Sequence, residues 1–105
     1  MTFADSLRAY ADWCEEHPDL VLDADISTYG SSADQIHDIL FCDSAASVDM
    51  LNPEDKICYI KQRFGSLSIS HVVRKEKICN LAIVDNQVTQ VLKPEFAELV
   101  KDVTA

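Results

Sequence analysis

Gly65 divides this chain by hydrophobic period, and that division constrains the fold more than any other feature. Ahead of it, apolar residues recur mostly at helical spacing. Behind it, Leu67, Ile69, His71 and Val73 alternate with Ser66, Ser68 and Ser70, the period of two that marks a strand. An early exception is Leu20, Leu22, Ala24 and Ile26, which alternate with Val21, Asp23 and Asp25. A chain of 105 residues has enough apolar material for one core and one domain. The expectation is a single α+β domain over residues 1–105 in the order α-β-α-α-β-β-β-α. Its strands would form a three-stranded antiparallel meander, with room for a fourth strand, packed against helices.

Local signals place the elements. Thr2 and Asp5 form a capping box ahead of Phe3, Leu7, Tyr10, Ala11 and Cys14, and His17-Pro18 ends that helix. Ser27 to Ser31 around Gly30 reads as a loop. Ser32 and Gln35 make a second box, predicting a helix over 33–41, although the alternation of Ile36, Leu40 and Cys42 also fits a strand. Residues 43–51 read as a loop with a helical turn. Asn52-Pro53-Glu54-Asp55 has the composition of a helix start; Ile57, Ile60 and Phe64 would be its buried face and Gly65 its left-handed end. Arg74-Lys75-Glu76-Lys77 reads as a charged turn, Ile78–Val84 and Val88–Leu92 as strands joined at Asp85-Asn86. Pro94 and Glu95 open a final helix through Phe96, Leu99, Val100 and Val103.

Charge is distributed unevenly. The net charge is −9, yet residues 1–55 hold thirteen acids and Arg8 as their only base, whereas residues 56–105 hold eight bases and five acids. Such a field repels nucleic acid and membrane phosphates and attracts basic protein surfaces. Glu15 and Glu16 occupy a last helical turn, where the dipole disfavours them, and Asp34 and Asp38 repel at i,i+4. Glu54 and Asp55, by contrast, suit a helix start. The residues expected to meet a partner are Asp12, Trp13, Glu15, Glu16, Asp19, Asp23, Asp25, Tyr29, Asp34 and Asp38. Acids also simply solubilise a surface, which is the bland explanation of the same pattern.

Other chemistries fit less well. Asp23, Asp25, Ser27 and Asp34 fall at positions one, three, five and twelve of a calcium loop, but position six, which needs glycine, is Thr28. Cys14 with His17, and His37 with Cys42, could pair around zinc, but a small buried thiol accounts for Cys14 equally. No metal or cofactor is therefore expected. His71 reads as a core or edge histidine, and no nucleophile or phosphate-loop motif occurs, so an enzyme is not expected. Cys14, Cys42, Cys58 and Cys79 read as reduced thiols in a cytoplasmic protein without an export signal.

The alternative to a protein partner is DNA. Ile57–Phe64, Gly65 and Ser70–Lys75 loosely follow a helix-turn-helix, with Lys56, Lys61, Arg63, Arg74, Lys75 and Lys77 as its basic residues. The serine alternation after Gly65 and the overall field oppose it. The favoured expectation is a stoichiometric inhibitor or nucleic-acid-mimicking decoy of a basic protein such as a nuclease. In size and charge alone the chain resembles small phage-encoded anti-CRISPR proteins and nuclease immunity proteins. The basic 74–77 turn facing the acidic half of a second copy would give a homodimer.

Overall fold

Both capping boxes form. In the computed structural model, which describes residues 1–20, 23–100 and 103–104, helix α1 (Phe3–Glu16) starts at Thr2. The Thr2 hydroxyl accepts from the Asp5 N–H, and the Asp5 carboxylate accepts from the Thr2 N–H. Helix α2 (Ala33–Cys42) repeats the device with Ser32 and Gln35. Each box satisfies backbone donors that a first turn leaves without partners. Helix α1 stops at His17, ahead of Pro18, as expected. No helix among the described residues is long and apolar enough to cross a membrane.

The strands are β1 (Ala24–Tyr29), β2 (Ser47–Asp49), β3 (Ile57–Phe64) and β4 (Leu67–Arg74); a short helix α3 (Lys75–Ile78) leads to β5 (Cys79–Val84) and β6 (Gln87–Leu92). Helix α4 (Pro94–Ala97) and strand β7 (Val103–Thr104) follow. One sheet has the order β1-β4-β3-β2-β7, and β5 and β6 form a second by themselves. Within the first, β1 runs parallel to β4, while β3 pairs antiparallel with both β4 and β2. Register then decides the faces. Ile26 lies beside Ile69, His71 beside Ile60, Val73 beside Cys58, and Ile60 beside Val48. That face carries the core, closed by Ile36 and Leu40 of α2 and by Ile78 and Phe96. Helix α1 lies over the end of the same face, beside Ala24, Ile26 and Leu67. Asp25, Tyr59, Lys61, Arg63 and Ser68 alternate with the inward residues and look out from the opposite, uncovered face.

The α+β class and roughly the expected order hold, but several elements differ. Residues 57–64 are a strand and not a helix. The Asp55 N–H donates to the Asn52 carbonyl and the Asn52 N–H to the Asp55 carboxylate, both at 3.0 Å, so Asn52–Asp55 closes as a turn. Cys58 and Ile60, two apart, are then fully buried, while Phe64 of the expected helical face is 56% exposed. Gly65 does adopt a left-handed φ of 62°, but it does so first in a two-residue hairpin loop between Phe64 and Leu67. The helix-turn-helix comparison loses both its helices.

The expected meander is replaced as well: β4 pairs with β1 and β3, and β5 and β6 make their own hairpin. Its Asp85-Asn86 turn is as expected, with φ of 52° and 63°. Strand β1 runs on through Ser27–Tyr29, where a loop was expected; Leu20, the first residue of the expected strand, is not part of it, and Val21 and Leu22 lie outside the described residues. The 43–51 segment, expected as a loop with a helical turn, supplies β2. The last helix ends at Ala97, and Val103 belongs to β7. The charged 74–77 turn is a turn of helix whose Lys75 is only 2% exposed and donates to the Asn52 carbonyl at 2.9 Å.

The resulting body is long, 56 × 24 × 21 Å, with a radius of gyration of 16.2 Å. A globular chain of this length would have about 13 Å. Truncating Ile60 to alanine should cost about 2–5 kcal/mol in denaturant unfolding, because it is fully buried on β3, the middle strand of the five-stranded sheet. Ser32→Ala should cost about 1 kcal/mol, the value of one cap.

Candidate functional site

The acidic residues separate into two sets. Helices α1 and α2 cover the same face of the sheet, so their outer sides look the same way. Asp12, Glu15 and Glu16 of α1 and Asp34 and Asp38 of α2 are all exposed there. No basic residue occupies the last turn of either helix. Arg8 lies 3.1 Å from Asp5 and is thereby partly neutralised. Asp19 is exposed in the turn after α1, and Asp23 is exposed immediately before β1. Asp12 with Glu16, and Asp34 with Asp38, are like-charge i,i+4 pairs, each costing a few tenths of a kcal/mol.

Asp25 and Tyr29 are elsewhere. They project from the uncovered face of the sheet, where the Asp25 carboxylate accepts from the Ser70 hydroxyl at 3.1 Å and Tyr29 is 77% exposed. The expected site therefore does not close into one patch. Trp13 stays with the helix layer, 43% exposed, in the middle of a ring ladder. Tyr10 stacks on one side at 6.1 Å between centroids and His17 on the other at 4.2 Å. The His17 ring donates from Nδ1 to the Trp13 carbonyl at 2.8 Å, holding the ladder at the helix end.

Sequence reading missed a polar chain under the helices. Gln62 donates from Nε2 to the Asp43 carboxylate at 3.1 Å, so its carbonyl oxygen must be the group that meets His71 Nε2 at 2.8 Å. That fixes the proton on Nε2 and makes Nδ1 the acceptor of the Thr28 hydroxyl, 2.6 Å away. A hydroxyl, an imidazole and an orienting group in line is the order of an activated nucleophile. Neither Thr28 nor His71, however, lines any of the principal clefts. The chain ties β1, β4, β3 and the end of α2 together. His71 stood out by its alternation with Ile69 and Val73; its partners lie far away in sequence and carried no signal.

Cys58 and Cys79 are buried, and His37 is engaged in packing. Burial first, and then the neighbouring Cys79, push the Cys58 thiol up to about 12, against the opposing ammonium of Lys75. His37 stacks on Phe41 and meets the edge of Phe96. Among the described residues no group of three His, Cys, Asp or Glu is arranged to hold a metal. The calcium-loop pattern of Asp23, Asp25, Ser27 and Asp34 is interrupted by strand β1, which takes up Asp25 and Ser27.

Two apolar clefts complete the surface. One, of about 410 Å³, lies between α1 and the sheet and is lined by Leu7, Tyr10, Cys14, Ala24, Ile26 and Leu67. The other, of about 400 Å³, lies beneath β6 and is lined by Met50, Leu51, Pro53, Val91 and Leu92, with Lys75.

Burial holds the His71 imidazole below its ordinary pKa of 6.5. The unfolded chain then takes up this proton first as pH falls. The stabilisation is complete above about pH 6.5 and is lost as pH falls through the folded-state value. The urea midpoint should drop between pH 7.5 and 5.5, and His71→Gln should flatten that dependence. Under native conditions iodoacetamide should modify exposed Cys42 and spare Cys58 until the chain unfolds. Comparison of the chain with models of protein families, with characterised proteins and with solved structures finds no match.

Proposed function

We propose that this protein acts by stoichiometric binding, as an inhibitor or nucleic-acid-mimicking decoy that offers its acidic helix layer to the basic channel of a nuclease or similar nucleic-acid-binding effector. The observation that carries the reading is the outer side of α1 and α2. Asp12, Glu15, Glu16, Asp34 and Asp38 are exposed there, and α1 adds the half-exposed Trp13 between Tyr10 and His17. Glu15, Glu16 and Asp38, at positions that weaken their own helices, are not accounted for by local stability. An exposed aromatic among them suits an interface anchor. The mechanism is steric and electrostatic competition with nucleic acid, without cofactor. Asp25 and Tyr29, on the far face, fall outside this surface.

The DNA-binding alternative is weakened by how its bases are spent. Lys75 is buried on the Asn52 carbonyl, Lys77 donates to the Ser31 carbonyl, Lys61 bonds Asp49, and Arg74 lies 3.8 Å from Glu76. A homodimer contact through the 74–77 turn would likewise have to rely on Arg74 and Lys77.

The test is displacement of labelled duplex DNA from a panel of nucleases and RNA-guided effectors. Release at a one-to-one ratio is expected, weakening with salt through slower association. The paired reversal Glu15→Lys with Glu16→Lys should slow association about tenfold, and Glu54→Lys should leave it unchanged. Binding of the protein itself to bare duplex at physiological salt would overturn the reading.

A further inference from the structure

Two apolar surfaces remain without cover, and they lie at opposite ends of the molecule. The first is the hairpin arm of β5 and β6. On one of its faces Leu81, Ile83 and Val88 are 73%, 77% and 70% exposed, continuing outward from buried Cys79. The second is the cleft beneath α1. This helix has fourteen residues and buries none of them. A helix of that length is marginal without tertiary packing. Its cleft begins at Ala24 and Leu67, the first residues of β1 and β4, whereas the arm departs beyond Arg74, the last residue of β4. The eight residues of β4 put roughly 25 Å between the two ends. No arm can reach the cleft of its own chain.

We propose that two copies assemble side by side about a twofold axis, each laying the Leu81, Ile83 and Val88 face of its arm into the cleft between α1 and the sheet of the other. An antiparallel pair of elongated molecules brings each arm beside the other's cleft. The lengths agree: six-residue strands reach about 20 Å and fourteen helical residues about 21 Å. The charges agree as well. Asp85, at the arm's tip, is the only charged residue between Cys79 and Leu92, and Arg8, which lines the cleft and also meets Asp5 at 3.1 Å, is the only base before Lys56. Because the contact is isologous it occurs twice. Each partner contributes one arm, with several hundred Å² of apolar surface, and one cleft, which brings the two contacts to the low end of stable interfaces, roughly 1,200 Å² in total. The acidic outer sides of α1 and α2 face away from the cleft, so their mutual repulsion is screened beyond roughly 8 Å at physiological salt. The proposal is independent of the decoy reading.

Sedimentation of the full chain at micromolar concentration in physiological salt should give twice the monomer mass. Ile83→Asp, a change at a site open to solvent in the monomer, should weaken dimerisation roughly a hundredfold while circular dichroism stays unchanged. Arg8→Asp and Asp85→Arg should each weaken it several-fold, and the two together should restore it, which reports the register of arm on cleft. In a Cys42→Ser background, Ile83→Cys should be joined by a bismaleimide to the native Cys14 of the other copy. A wild-type chain that remains monomeric at about 100 μM overturns the proposal, including one that instead binds lipid vesicles or an apolar peptide. So does a dimer that Ile83→Asp leaves intact, or a charge swap that fails to restore it.

Discussion

The pairing of β3 with its neighbours on both sides organises everything else in this molecule. Cys58 and Ile60 are fully buried only because β4 lies along one edge of their strand and β2 along the other, with α2 across the top. Each strand alone would present alternate apolar side chains to water. Together they bury Val48, Ile60 and Val73 with Ile36 and Leu40, and this shared burial is what the folding of 105 residues must gain to offset chain entropy.

Lys75 is the second point on which the architecture turns. Taking an ammonium out of water costs several kcal/mol unless its hydrogens are bonded. Here Nζ donates to the Asn52 carbonyl, and the Lys75 backbone N–H donates to the Lys56 carbonyl at 2.9 Å. The two bonds fasten the turn that enters β3 to the short helix that leaves β4. The arm is launched from that helix, and its base is returned by the bond from the Lys93 N–H to the Ile78 carbonyl at 2.8 Å. A basic residue that belongs by composition to the protein's positive region is thus spent on structure and is not offered at the surface.

The acidic helix layer and the uncovered arm serve separate purposes in the readings developed above. One is polar, faces outward from α1 and α2, and suits a basic partner. The other is apolar, lies at the ends of the long axis, and suits a second copy. The two adjoin at Tyr10, which lines the cleft and stacks on Trp13, while Asp12 and Glu16 lie on the outer side of α1.

Signals contained within four or five neighbouring residues determined their own structure here. The Thr2/Asp5 and Ser32/Gln35 boxes, the His17-Pro18 stop and the Asp85-Asn86 turn needed no tertiary help, because each closes its hydrogen bonds locally. The placement of acids on exposed faces of α1 and α2 was equally legible, since charge seeks water whatever the fold. Residues 57–64 could not be decided that way. Ile57, Ile60 and Phe64 satisfy a helix, Cys58 and Ile60 satisfy a strand, and Asn52-Pro53 serves a helix start or a turn. Only the strands waiting on either side settled the choice, because a buried strand must share its backbone hydrogen bonds with neighbours distant in sequence. The same long-range pairing separated Asp25 and Tyr29 from the other acids, gathered Thr28, His71, Gln62 and Asp43 into one chain, and left the β5–β6 arm without a sheet to join.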